Sequence, residues 1–191
     1  MKRHPAIPLT ALVVLCTFGA CTPPDPVHDR AVDKLGDETG NADEFHRAGQ
    51  PCATCHNSKS NGPADTDFSV AGTVFATPKT LVGVEGVIVE ITDSAGTSPP
   101  PMKTNCVGNF WTPRGTWDPV LPIVKVKMTK DKTVRPMLSP IGQAASCAEC
   151  HQAKVYASDP LSKLGAIYLF DGPAVPPPPA NCPVNPALVI P

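Results

Sequence analysis

Short stretches of alternating apolar and polar residues fill the middle of the chain, between positions 68 and 136. Phe68-Ser69-Val70-Ala71-Gly72-Thr73-Val74-Phe75-Ala76 reads as a strand, and the run from Val84 to Thr92 alternates before the turn signal Asp93-Ser94-Ala95-Gly96. Lys103 to Trp111 reads as strand, turn and second strand joined near Val107-Gly108. Pro122 to Thr129 alternates most clearly: Ile123 faces away from Val124, and Val124, Val126 and Met128 share the face opposite Lys125 and Lys127. Asp131-Lys132 then turns into a short Thr133-Val134-Arg135 strand. A helix is predicted only over 141–156, where Ala144, Ala145, Ala148 and Ala153 follow the break at Pro140. Around 45–67, Gly49, Pro51, Asn57 and Asn61-Gly62-Pro63 interrupt any helix. The expected architecture is mainly β, a small antiparallel β-sandwich over 68–136 flanked by short helical or loop segments.

The two ends differ from this middle. Lys2, Arg3 and His4 precede an apolar run from Pro5 to Ala20, which is too short for a membrane span and reads as a secretory signal over 1–20. Its last residues, Phe18-Gly19-Ala20-Cys21, resemble the lipobox of bacterial lipoproteins, with Phe18 where Leu is usual. The resemblance implies that Cys21 carries diacylglycerol and that the chain sits on a lipid bilayer. Thr22 stands where an Asp would resemble an inner-membrane retention signal, so the outer membrane is favoured. At the other end, 171–191 is a proline-rich tail of polyproline II character.

Composition narrows the class. The chain has 16 basic and 17 acidic residues, and two of the basic ones leave with the signal, so no positive field exists to attract nucleic acid. Aromatic residues make up only 5% and there are 25 prolines, which argues against a large all-protein core and for a buried prosthetic group.

The eight cysteines carry the chemistry. Cys16 leaves with the signal and Cys21 takes the lipid. Cys106 and Cys182 form a leftover pair that an exported chain would bridge, the other readings being an intermolecular bond or pairing with an unlipidated Cys21. The remaining four form Cys52-Ala53-Thr54-Cys55-His56 and Cys147-Ala148-Glu149-Cys150-His151, two matches to the c-type haem attachment signature. Two thiols at this spacing can add to the two vinyl groups on one porphyrin edge, and the next residue places an imidazole under the iron. One copy alone also suits a dithiol redox pair or half a zinc site. Two copies behind an export signal point to two molecules of haem c held by Cys52, Cys55, Cys147 and Cys150, with His56 and His151 as proximal ligands.

Of the five histidines, only His28 and His46 then remain for the opposite axial positions. His46, six residues before Cys52, is expected to ligate its own or the partner haem. The other haem would take His28 or a thioether from Met137, Met102 or Met128. Met137, on the Arg135-Pro136-Met137-Leu138-Ser139-Pro140 segment, is the best placed of the methionines and is expected on a proline-held loop. Methionine there would raise the iron potential and a second histidine would lower it.

The order Ala71-Gly72-Thr73-Val74, Gly86 to Asp93, Thr104-Asn105-Cys106-Val107-Gly108-Asn109-Phe110 and Val124-Lys125-Val126 resembles the carboxypeptidase regulatory-like (CnaB or transthyretin-like) β-sandwich. That resemblance covers about 70 residues and implies a scaffolding or binding module without catalytic groups. With the haem motifs, the whole chain resembles small dihaem cytochrome lipoproteins. The implied organisation is a signal (1–20), a flexible tether (21–44), a first haem-binding segment (45–67), the β-sandwich (68–136), a second haem-binding segment (137–170) and the tail (171–191). The expected function is electron carriage between redox partner proteins, alone or in a larger cytochrome assembly, and not catalysis. The alternatives are a β-domain that haem merely stabilises and a small haem enzyme of peroxidase type, which needs an open sixth position.

Overall fold

The computed structural model describes residues 26–38, 40–60, 62–78, 80–142, 146–152, 164–172, 177 and 179–184. The signal, the lipobox with Cys21 and most of the tail lie outside them. One helix, α1 (Pro26–Leu35), precedes six strands: β1 (Phe68–Thr73), β2 (Ile88–Asp93), β3 (Met102–Lys103), β4 (Asn109–Pro113), β5 (Ile123–Lys130) and β6 (Thr133–Met137). They form two antiparallel sheets, one of two strands (β1-β4) and one of four in the order β3-β2-β5-β6. Among the described residues no helix is long and apolar enough to cross a membrane. Helix α1 falls inside the segment expected as a flexible tether.

Residues from both sheets bury one apolar cluster, including Val70 and Phe110 from the smaller sheet and Val89, Ile91 and Ile123 from the larger. In β2 the alternation places Val89, Ile91 and Asp93 inward. The buried Asp93 carboxylate is satisfied by the amides of Ala95 (3.0 Å), Thr97 (2.8 Å) and Val120 (2.9 Å) and by the Thr97 hydroxyl (2.7 Å). It thereby ties the turn after β2 to the chain entering β5.

Two strand readings change in detail. In β5, Asp93 pairs with Ile123 and Thr92 with Lys125, leaving Val124 as an extra residue. This bulge turns Ile123 into the core and puts Val124 at 50% exposure, although alternation placed Val124 with Val126 and Met128. The strand, turn and strand at 103–111 do not pair with each other: β3 joins β2, and β4 joins β1. The chain crosses between sheets at Gly108, whose φ of +85° and approach to Val74 O admit no side chain, a Cβ there lying 2.2 Å from that oxygen.

The helix expected over 141–156 is replaced, among its described residues, by extended pairing and one tight turn. Ile141 pairs with Ile123, Ser146 pairs with Ala71 of β1, and a 3-10 turn follows at Cys147–Glu149. At Ile141 and Ser146, pairing with distant backbone overrides local helix preference. The returning segment 165–170 lies alongside β1's continuation, with Phe75 N donating to Ile167 O and Leu169 N to Phe75 O, both at 2.9 Å.

Candidate functional site

Both CxxCH motifs fold into the same turn. Cys52–Thr54 and Cys147–Glu149 are 3-10 turns. In each, the second cysteine and the histidine donate their amides to the carbonyl of the first cysteine, at 3.1 and 2.9 Å in the first motif and 3.2 and 2.8 Å in the second. The first intervening alanine, Ala53 or Ala148, is buried at 6% exposure in both. Small size at that position lets each turn lie flat on the sheet, and both turns pack on β1.

Strand β1 accepts both because of its composition. Five consecutive residues, Ser69 to Thr73, are buried, so neither face of the strand meets solvent. Gly72 lies against the second turn: a Cβ there would come within 3.0 Å of Cys147 Cβ and Sγ and 2.8 Å of Phe110 Cζ. Ala71 lines the cavity beside the first motif, and Val70 lines the cavity beside the second. Phe110 of β4 borders both cavities.

Each histidine is oriented by its Nδ1. His56 Nδ1 donates to Thr66 O at 2.8 Å and His151 Nδ1 to Gly165 O at 3.2 Å. His46 Nδ1 is in short contact with Asp43 O. With Nδ1 so engaged, the free lone pair is on Nε2, which is how metal-ligating histidines are held. Burial pulls the His56 pKa below its usual value, only partly offset by the Thr66 bond, which favours the neutral imidazole a metal needs.

The His46 and His56 rings lie near-parallel beside the first motif, with centroids 5.9 Å apart and planes at 18°. Phe68 stacks on His56 at 3.9 Å, and Trp111 follows Phe68 at 6.1 Å. The rings border hollows of about 270 and 530 Å³ that share His46, Arg47, Cys55, His56 and Thr66. Arg47 fastens α1 over this site: its guanidinium donates to Leu35 O (3.2 Å), Gly36 O (2.7 Å) and Glu38 (2.6 Å).

The second cavity is larger, about 580 Å³, and its walls are mostly apolar, which suits a flat prosthetic group. Cys147, Cys150 and His151 form one side, and Met137, Met128 and Pro136 another. Met137 ends strand β6, paired with Val126, and is not on the loop expected for it. Among the described residues no second histidine lines this cavity. Met102 is buried in the core away from it, at 7% exposure. His28 lies on α1, and its side chain falls outside the described residues.

The thiols weigh against the dithiol reading. Burial pushes Cys52 up to about 11 and Cys147 up to about 12, and Cys55 is also raised. A redox nucleophile needs a lowered pKa. A zinc site would need several protein ligands together, and among the described residues no three His, Cys, Asp or Glu side chains are so grouped. No protein-family model matches this chain, and the comparisons with curated proteins and with solved structures found no match.

Among the described residues, the two cysteines outside the motifs form the Cys106–Cys182 disulfide, with Cα atoms 5.6 Å apart. Sequence reasoning missed Asn105, Asn109 and Thr73, which hold the loop carrying His46. Their signal was present only as the polar residues of a strand end and a turn.

Proposed function

We propose that this chain is an exported, lipid-anchored dihaem c-type cytochrome that carries single electrons. The observation that carries the reading is the duplicated CxxCH turn, in which each histidine is fixed through Nδ1 to a backbone carbonyl beside a cavity. In it, Cys52 and Cys55 attach one haem and Cys147 and Cys150 the other, with His56 and His151 as proximal ligands. When bound, haem supplies a one-electron iron couple.

The residues of the chain then bind, orient and insulate. His46 is the residue that would supply the second imidazole to the first haem, because it lines the same hollows as His56. Met137, which lines the cavity with Cys147, Cys150 and His151, is the thioether we assign opposite His151. Arg47 and α1 cover the first site from solvent. We read the β region as a carboxypeptidase regulatory-like sandwich acting as a rigid scaffold, supported by the two sheets that share one core. Lipid on Cys21 would hold the assembly at the outer membrane, where redox proteins are its partners.

Mass measurement of the mature protein tests the reading, together with in-gel haem staining. The expected mass exceeds lipid plus polypeptide by about 1.2 kDa, for two macrocycles. Cys52→Ser/Cys55→Ser and Cys147→Ser/Cys150→Ser should each remove half of that increment. A protein exported intact with no increment would end the proposal.

A further inference from the structure

The first site takes its second histidine from a loop, and a loop by itself cannot hold an imidazole in place. Residues 43–50 have no strand partner. His46 N bonds back to Asp43 O at 3.2 Å, and Phe45 N to Asp43 Oδ1 at 2.9 Å, but these contacts only shape the loop internally.

What fixes the loop to the sheets is a set of side chains from β1, β4 and the turn before β4. Asn109 Nδ2 donates to His46 O at 3.0 Å and reaches Glu44 O at 3.4 Å. Asn105 Nδ2 donates to Glu44 O at 2.6 Å. Gly49 N donates to Thr73 Oγ1 at 2.8 Å, at the far end of the loop.

The donors are themselves aimed. Thr73 Oγ1 donates to Asn109 Oδ1 at 2.7 Å, which fixes the amide so that Nδ2 points at the loop. Asn105 Oδ1 accepts from the amides of Val107 (3.2 Å) and Asn109 (3.0 Å), which fixes its amide in the same way. Thr73 and Asn109 are 5% and 8% exposed, so water offers these groups little replacement.

Resting on the reading of His46 as an axial ligand, we propose that Asn109, with Asn105 and Thr73, is a positioning group that keeps His46 opposite His56. The second site needs no such device, since Met137 sits at the end of a paired strand. Without the asparagine donors, His46 is released more often and the first iron becomes five-coordinate.

Ferric spectra of the full-length, haem-loaded protein read this directly through the high-spin fraction. His46→Ala sets the full effect. Asn109→Ala should raise the high-spin fraction toward that limit, about fivefold in the ratio of released to bound histidine for each hydrogen bond lost. Added imidazole should restore the low-spin spectrum.

Asn105→Asp gives a second variant that keeps the acceptor for both turn amides and removes only the donor to Glu44. It carries the test if Asn109→Ala does not fold. Asp93→Asn disturbs a polar network at the other end of β2 and should stay low-spin.

If both asparagine variants keep the wild-type spectrum while His46→Ala turns high-spin, the positioning role is wrong and the haem reading stands. A rise in Asp93→Asn equal to theirs would also overturn it, by showing general loosening. No spectral change in His46→Ala would remove the axial role of His46 and the proposal with it. Absence of any haem would instead remove the cytochrome reading itself.

Discussion

The two motif histidines and His46 share one device, an Nδ1 engaged by a carbonyl, yet the three carbonyls come from unrelated places. Thr66 lies ten residues after His56, Gly165 fourteen after His151 and Asp43 three before His46. No spacing rule in the sequence could have named them, whereas motif spacing alone named His56 and His151 as candidates. Gly72 is similar. It reads as an ordinary small strand residue, and its role appears only because Cys147 lies against it. Gly72→Ala should force Cys147 and Phe110 to shift, costing about 1–3 kcal/mol as an overpacked core position does. The attachment of the second haem should fall more than that of the first, as read from the mass distribution. Equal loss at both sites would show that Gly72 is only a folding residue.

At the scale of elements, strand β1 sits between two identical turns, and this placement sets the relation of the two sites. Cys52 and Ala71 border the first cavity, Cys147 and Val70 the second, and Phe110 both. The Cys52 thiol is near enough to contribute to the raised pKa of Cys147. Attached haems would therefore lie on either side of one thin wall. Visible circular dichroism of the reduced dihaem protein should show a bisignate Soret couplet, and the variant lacking Cys147 and Cys150 should lose it. A single-signed band from a protein shown to carry two haems would separate the sites further than this wall allows.

For the whole molecule, the Cys106–Cys182 bridge joins the crossing point between the sheets to the tail over a sequence separation of 76. Closing so long a loop restricts the unfolded chain, and Cys106→Ser/Cys182→Ser should lower the unfolding free energy by about 4 kcal/mol in urea titration. A change near zero would show that the tail is anchored by other contacts. The pairing itself was legible by elimination among the cysteines, as were the mainly β class and the strand positions. Those follow from period-two alternation and thiol arithmetic, which are local properties of a sequence. The bulge at Val124, the division of 103–111 between two sheets, the loss of the helix after Pro140 and the strand position of Met137 were not legible. Each depends on which distant backbone offers a hydrogen bond, and local preference cannot weigh a partner fifty residues away. The sequence by itself determined where two thiols and an imidazole stand at haem-attachment spacing, because that pattern is held within five consecutive residues, twice. Tertiary structure alone decided that both copies share one strand and that asparagines from a turn and a neighbouring strand hold His46, because only folding brings those segments within bonding distance.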